Sequence, residues 1–502
     1  MPTNGEFSSR RRHFLRTVGL AIASLPLAER IFASPEAPLP QLPVPRRAVR
    51  IRGAVRIDGK GKKGIGVSDG QTFVTTAADG TYELLSDTSS PFVFLSLPSG
   101  TEIPVSSRGS AAAFHSVMPD ANGEMNASWE LKSLHMSDER HAFFLLADPQ
   151  TLDMDDIRIF QSTTVPDVRT SAAMLSGVPA FGIGCGDLMF DKLEFFPEYE
   201  KGIAQTGVPF FQVLGNHDVD ALAKVDELST ATFMRLFGPT YYSFNRGAVH
   251  YVVLDDIMWI GDGYIGYLTQ RQLDWLRADL TMVEGGRPVV VFMHIPSYNT
   301  QHLRTGGKRP ERSLVVANRD LLMQLLAPYQ AHIVVGHMHE TEHLYTANTH
   351  IHVCGAVCGA WWSGPICGDG TPNGYGIYDV RGEEIRWRYK GTGLPLDQQI
   401  RLYPRGTDPA HPEAILANIW DWDQGWTVTW FENGIRQGEM QQVRRTDPLS
   451  EKLHAGPKLP AKHTWVEPYV TDHMFQAVPA IPEAAVVVEA KDRFGRVMTA
   501  KS

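Results

Sequence analysis

Six short apolar runs, each stopping at a polar cluster able to bind metal, limit what this 502-residue chain can fold into more than any other feature. Ala142–Ala147 precedes Asp148-Pro149-Gln150, Phe181–Cys185 precedes Gly186-Asp187, and Phe210–Leu214 precedes Gly215-Asn216-His217-Asp218. Val249–Leu254 then precedes Asp255-Asp256, Val289–Met293 precedes His294, and Ile333–Val335 precedes Gly336-His337-Met338-His339. Runs of this length, rich in Val, Ile and Phe and ended by Gly or Asp, predict buried strands. Their polar ends would then lie together, because sheet-based α/β folds build sites at strand ends.

Taken singly, each cluster is ordinary. Asp187 after a glycine suits a turn or a helix cap, and a lone His294 suits a satisfied core histidine. The order D-x-Q, G-D-x3-D, G-N-H-D, H, G-H-x-H is more demanding. Two hard or borderline divalent ions need carboxylate, amide and imidazole donors, with at least one carboxylate between them, and one stretch of this chain supplies that set.

With these motifs, spread over about half its length, the chain resembles the calcineurin-like metallophosphoesterases. The resemblance implies an α/β fold: a central β-sandwich flanked by helices, with a small N-terminal β-sandwich domain and a C-terminal β-rich domain. It also implies two divalent metal ions. Asp148, Gln150 and His339 would serve one, Asn216, His294 and His337 the other, and Asp187 would bridge them. His217 matches the residue the family places beside the leaving group, and the spacing leaves open whether Asp191 or Asp218 orients it. The implied activity is hydrolysis of a phosphate mono- or diester by in-line attack of a metal-bridging hydroxide, with His217 donating a proton to the departing alkoxide. Gln150 stands where most of the family has histidine. An amide oxygen is a weaker and harder donor than imidazole, which tilts the expected metals toward Mn²⁺ or Fe, with Zn²⁺ as the alternative.

The first 33 residues read as an export signal. Arg11-Arg12-His13-Phe14-Leu15 is followed by a short apolar stretch, Thr17–Leu27, and by small residues near Ala33. That layout is too short for a stable anchor, and the paired arginines resemble a twin-arginine signal. The expectation is a periplasmic or otherwise exported protein handled by the twin-arginine export machinery, which carries folded cargo. The formal charge is −9, and residues 1–33 hold five Arg and two Glu, so the remainder stands at −12. Such a balance argues against nucleic acid as a partner, and no other segment has the length and apolarity of a membrane span. The expected partner is a small-molecule or cell-envelope phosphate ester.

Composition divides the rest. Residues 34–47 are Pro-rich and read as a linker, 48–135 as an N-terminal β-sandwich module, 138–380 as the catalytic domain and 381–502 as a C-terminal β-rich domain. In the last of these, Ala414–Asp423 and Trp426–Gly434 read as paired strands, with Asn433-Gly434 as a hairpin turn. Tryptophan at alternating strand positions is more often core than a sugar platform. Among Cys354, Cys358 and Cys367, an oxidising compartment would permit a Cys358–Cys367 bridge. The basic loop after His294, with His302 and Arg304, is expected to meet substrate, and Trp361 and Trp362 to wall the metals. Two readings stand beside the hydrolase of small esters: a protein Ser/Thr phosphatase, and a non-catalytic envelope or glycan-binding protein using its β-domains.

Overall fold

A computed structural model describes residues 46–502. The expected signal at 1–33 and nearly all of the Pro-rich linker at 34–47 lie outside the described residues. Two facing sheets form the centre. One has the order Phe210–Val213, Ala180–Cys185, Arg140–Leu146, Gly374–Arg381, Glu384–Gly391, the first three strands being mutually parallel. The other has the order Tyr242–Arg246, Val249–Val253, Pro288–Phe292, Gln330–Val335, Thr349–Val353, Glu342–Thr346, with four parallel strands in its middle.

All six apolar runs of the sequence are strands, and all six belong to these parallel sets. Parallel strands are covered on both faces, so they read as continuous hydrophobic runs without alternation. Phe143, Phe181, Tyr251 and Phe292 fill the space between the sheets. Helices Val165–Met174, Phe196–Ala204, Gln270–Leu280 and Arg319–Leu326 cover the outside, where Phe196, Trp275 and Leu322 are buried. Being parallel, the strands bring their C-terminal ends to one edge, and every expected ligand follows such an end.

The N-terminal module is a pair of small sheets built around Ala48–Ile57 and Phe92–Leu95. Its apolar residues are continuous with the central core: Val49 and Ile51 share a cluster with Phe143, and Phe94 packs edge-on against Trp275, with ring centroids 6.1 Å apart. The C-terminal part is a sandwich of two four-stranded sheets.

Three expectations change here. Glu384–Gly391 does not open the C-terminal domain; it pairs with Gly374–Arg381 along its whole length and forms the edge of the catalytic sheet. Ile415–Ile419 and Thr427–Glu432 are both strands but do not pair, because each joins a different sheet of the C-terminal sandwich. The four cysteines are buried free thiols, so Cys358 and Cys367 are not bridged. The Asn433-Gly434 turn does close a hairpin, both residues taking positive φ as a two-residue turn of the primed type needs.

Candidate metal centre

Asp148, Gln150, Asp187, Asp191, His337 and His339 all have φ between 40° and 69°. For residues with a Cβ this left-handed region is uncommon and strained, and strain concentrates where function demands a particular side-chain direction. Here the chain leaves each strand and turns at once, aiming successive donors at a single point. Two glycines make room for the turns. A Cβ on Gly215 would overlap the Asp187 backbone nitrogen, and one on Gly336 would overlap the Asp148 carboxylate.

The donors converge. His294 Nε2 lies 3.2 Å from Asp187 Oδ2 and 3.9 Å from Asp148 Oδ1. His337 Nδ1 is 3.2 Å from the same His294 nitrogen, and His339 Nε2 is 3.6 Å from Asp148 Oδ1. The Gln150 side-chain amide meets Asp187 Oδ2 at 3.3 Å. Asp187, His294 and His337 present ligand atoms that are all within 4.8 Å of one another. Asn216 is buried, and its Oδ1 has no hydrogen-bond partner. A buried amide oxygen left unpaired costs about 1–3 kcal/mol, a cost removed when it becomes a ligand.

The outward nitrogens are fixed as metal-ligating imidazoles usually are. His294 Nδ1 donates to the Cys185 carbonyl at 3.0 Å and His339 Nδ1 to the Gly359 carbonyl at 2.6 Å. The buried Asp256 accepts from the backbone N–H groups of His294 and Ile295, holding that loop in place. This gives Asp256 a positioning role that its Asp-Asp motif did not reveal.

Charge in the site is crowded. Burial, reinforced by Asp187 alongside, pushes the Asp148 carboxyl up to about 8. Burial opposes the charged form of His294, but Asp187 and Asp148 outweigh it and raise the imidazole to about 10. Burial drives His337 down to about 3 and His339 to about 4, so both keep lone pairs free for a cation. Two carboxylates, three imidazoles and two amides converge in a buried space, and such a donor set fits divalent ions.

His217 stands at the rim. Its Nδ1 donates to Asp191 Oδ1 at 2.7 Å, and its backbone N–H donates to Asp187 Oδ1 at 2.8 Å. Burial disfavours its cation, yet Asp191 and Asp187 together lift it to about 9. Of the two candidate orienting residues, Asp191 is the one in contact. Asp218 instead accepts backbone N–H groups from Leu188, Met189 and Gly215, tying two site loops together.

The walls hold both expected and unexpected residues. Trp361 stacks on His339 with centroids 3.9 Å apart, and Trp362 Nε1 donates to the Pro149 carbonyl. Trp361 meets Trp465, which meets His463, which meets Phe190, which packs edge-on against His217 at 4.6 Å. An aromatic arc thus runs from one metal-type ligand to the rim histidine, partly built by a C-terminal segment anchored through Lys462 to Asp153 and Asp156. Nothing in the spacing of His463 and Trp465 links them to residues more than a hundred positions earlier. Arg304 departs from expectation. Its guanidinium is buried, paired with Glu340 at 2.7 and 2.9 Å, and donates to the Val470 carbonyl, so its charge is satisfied internally and does not face a substrate. His302, on the same short turn, is half-buried with Nδ1 unpartnered.

The family models matched are the N terminal of calcineurin-like phosphoesterase at residues 49–134, calcineurin-like phosphoesterase at 178–341 and the C terminal of calcineurin-like phosphoesterase at 351–498. Among curated proteins, purple acid phosphatase 15 of Arabidopsis thaliana is 29% identical over 165 residues, covering 30% of this chain and 28% of its own. Serine/threonine-protein phosphatase CPPED1 of Bos taurus is 28% identical over 134 residues, covering 25% and 42% respectively. The chain therefore spans less than half the length of these relatives. A solved purple acid phosphatase, PPD1 of yellow lupin (Lupinus luteus), superposes with a TM-score of 0.34 at 10% identity, covering 72% of this chain and 67% of that one. Three consecutive models of one family lie along the chain in the order of its three domains, and the chain belongs to the calcineurin-like phosphoesterases.

Proposed function

We propose that this protein is an exported phosphoesterase that uses a binuclear metal centre to hydrolyse a phosphate mono- or diester. The observation that carries the reading is the unpaired, buried Oδ1 of Asn216, beside a carboxylate that also touches His294 and Gln150. Asp148, Gln150 and His339 would hold one ion, Asn216, His294 and His337 the other, with Asp187 between them. Two bound divalent ions supply Lewis-acid charge to the phosphoryl oxygens and lower the pKa of the attacking water.

The chain's own residues do the rest. His217, held by Asp191 at 2.7 Å, is oriented to deliver a proton to the leaving oxygen. The arc of Phe190, His463, Trp465 and Trp361 excludes water from one side and offers apolar faces to the organic part of an ester. Gln150 in place of a histidine favours Mn²⁺ or Fe. Export rests on Arg11-Arg12 and the apolar stretch that follows; replacing both arginines by lysine should leave the protein inside the cell, as measured by fractionation.

The direct test is release of nitrophenolate from p-nitrophenyl phosphate and from its bis-ester, after chelation and titration with Mn²⁺. Metal-dependent release, lost in Asn216→Ala with an unchanged circular dichroism spectrum, is the expected result. No release at any metal level sinks the reading. A protein phosphatase is the second reading, favoured by Asp148-Pro149-Gln150 and by the likeness to CPPED1; preference for a phosphoserine peptide over both nitrophenyl esters would select it.

A further inference from the structure

Another set of ligand-type side chains lies away from the site described above. The imidazoles of His332, His350 and His352 offer nitrogens that are all within 4.8 Å of one another. They lie on adjacent parallel strands, Gln330–Val335 and Thr349–Val353, with His332 in register with His350. Strand alternation puts His352 on the same face. The next strand, Glu342–Thr346, brings His343 into register with His352. His332 lies within the strand Gln330–Val335, whereas His337 belongs to the turn beyond its C-terminal end, so the two clusters occupy different parts of the fold.

The contacts within the cluster have direction. His332 Nδ1 faces His352 Nε2 at 2.9 Å, and His343 Nδ1 faces His350 Nε2 at 3.1 Å. Bonds of ~2.0–2.1 Å to a tetrahedral zinc ion would place ligand nitrogens about 3.3 Å apart, so small shifts would suffice. Two of the nitrogens facing outward have partners of their own. His343 Nε2 donates to Asp421 Oδ1 at 3.0 Å, and the Tyr378 hydroxyl meets His352 Nδ1 at 3.4 Å. A carboxylate behind an imidazole is the arrangement that orients metal-bound histidine and raises its basicity.

Four imidazoles packed in tilted and edge-on contact are otherwise costly, since their lone pairs compete for few protons. His350 and His352 are buried and His332 is partly buried, so water competes little for these nitrogens. The nearby Arg493 is balanced by Asp423, 2.8 Å from its Nε, and its guanidinium lies over the rings of Tyr345 and Trp387. One edge of the cluster faces a cavity of about 650 Å³ between the catalytic sheet and the C-terminal sandwich, lined by His343 and Tyr345.

We propose that His332, His350 and His352, with His343 and its partner Asp421, form a separate structural site for a borderline divalent transition ion of the Zn²⁺ class. Asp421 follows the C-terminal strand Ile415–Ile419, so an ion there ties the edge of the catalytic sheet to the C-terminal sandwich.

Zn²⁺ titration with elemental analysis, and Co²⁺ substitution read by visible absorption, test this on four full chains: wild type, His332→Gln, His350→Ala/His352→Ala, and the catalytic-site variant Asp148→Asn. Wild type and Asp148→Asn should both show the intense d–d bands of tetrahedral Co²⁺. His332→Gln and the double variant should lose those bands and bind one equivalent of Zn²⁺ less than wild type. Zinc should also raise the thermal midpoint of Asp148→Asn by several degrees and that of His332→Gln by less. Equal zinc content in wild type and His332→Gln, or tetrahedral bands that vanish in Asp148→Asn and persist in His332→Gln, overturns the proposal. Should the double variant fail to fold, His332→Gln decides, since its side chain is partly exposed. Turnover is a separate readout, so failure of the phosphoesterase reading would leave this result intact.

Discussion

His217 is held at two points, by Asp191 on its ring and by Asp187 on its backbone N–H, and the two contacts have different consequences. Removing the ring should abolish proton delivery while leaving binding intact. We expect His217→Ala to lower kcat by about 10²–10⁴-fold with little change in KM. Asp191→Asn keeps a hydrogen-bonding partner but removes the negative charge that sustains the imidazolium. It should lower kcat less than His217→Ala and move the alkaline limb of the pH–rate profile, where the general acid deprotonates, to lower pH, as steady-state kinetics on a nitrophenyl ester can check. The left-handed φ of six residues around them adds a second lesson at this scale. Each such residue costs on the order of 1–3 kcal/mol, and the loops keep them because Asp218 and Asp256 bind several loop N–H groups at once.

At the scale of the element, the parallel strands decide where the chemistry goes and the turns decide whether it assembles. Gly215 ends the strand Phe210–Val213 and must let the Asp187 turn pass against it. Gly215→Ala is therefore expected to separate the Asp187 and Asn216 donors. Metal affinity measured by calorimetry should fall at least tenfold, and the thermal midpoint should drop. A second prediction concerns strand Arg140–Leu146. His141 points into the space between the sheets, donating from Nδ1 to the Asp138 carbonyl and meeting the Tyr251 hydroxyl through Nε2. Burial holds its pKa down at about 4. Because the unfolded chain binds that proton near 6.5, stability from this residue is complete above pH 6.5 and is lost as pH falls toward 4. The loss amounts to about 3 kcal/mol. Urea unfolding at pH 7, 5.5 and 4.5 should show a steeper decline for wild type than for His141→Gln.

At the scale of the molecule, the three domains share cores and ion pairs. The buried pair of Arg304 and Glu340 also reaches the Val470 carbonyl on a C-terminal strand. Burial and the lack of a counter-charge would penalise Glu340 once Arg304 is gone, and burial already raises its carboxyl above the ordinary range. Arg304→Ala should destabilise the protein by about 3–5 kcal/mol, whereas replacing both partners by leucine and methionine should cost much less. Differential scanning calorimetry distinguishes the two. If Arg304 bound substrate instead, the single variant would keep its stability and lose KM.

The sequence by itself determined the strands, the ligand types and the order in which they arrive, because parallel buried strands need unbroken apolar runs and metals need particular donors. That Asp148, Asp187, Asn216, His294, His337 and His339 follow strand ends and converge was legible for that reason, as was the Asn433-Gly434 turn. What only the tertiary structure decided depends on distance in space. His463 and Trp465 reach the rim because the C-terminal sandwich folds back over the site, and Arg304 turns inward because Glu340 lies beneath it. Asp191, and not Asp218, holds His217 because a positive φ at Asp191 turns its carboxylate toward the ring. Four histidines scattered between 332 and 352 form one cluster through strand register alone. Local pattern encodes which side chains a strand carries; packing between strands and domains decides which of them meet.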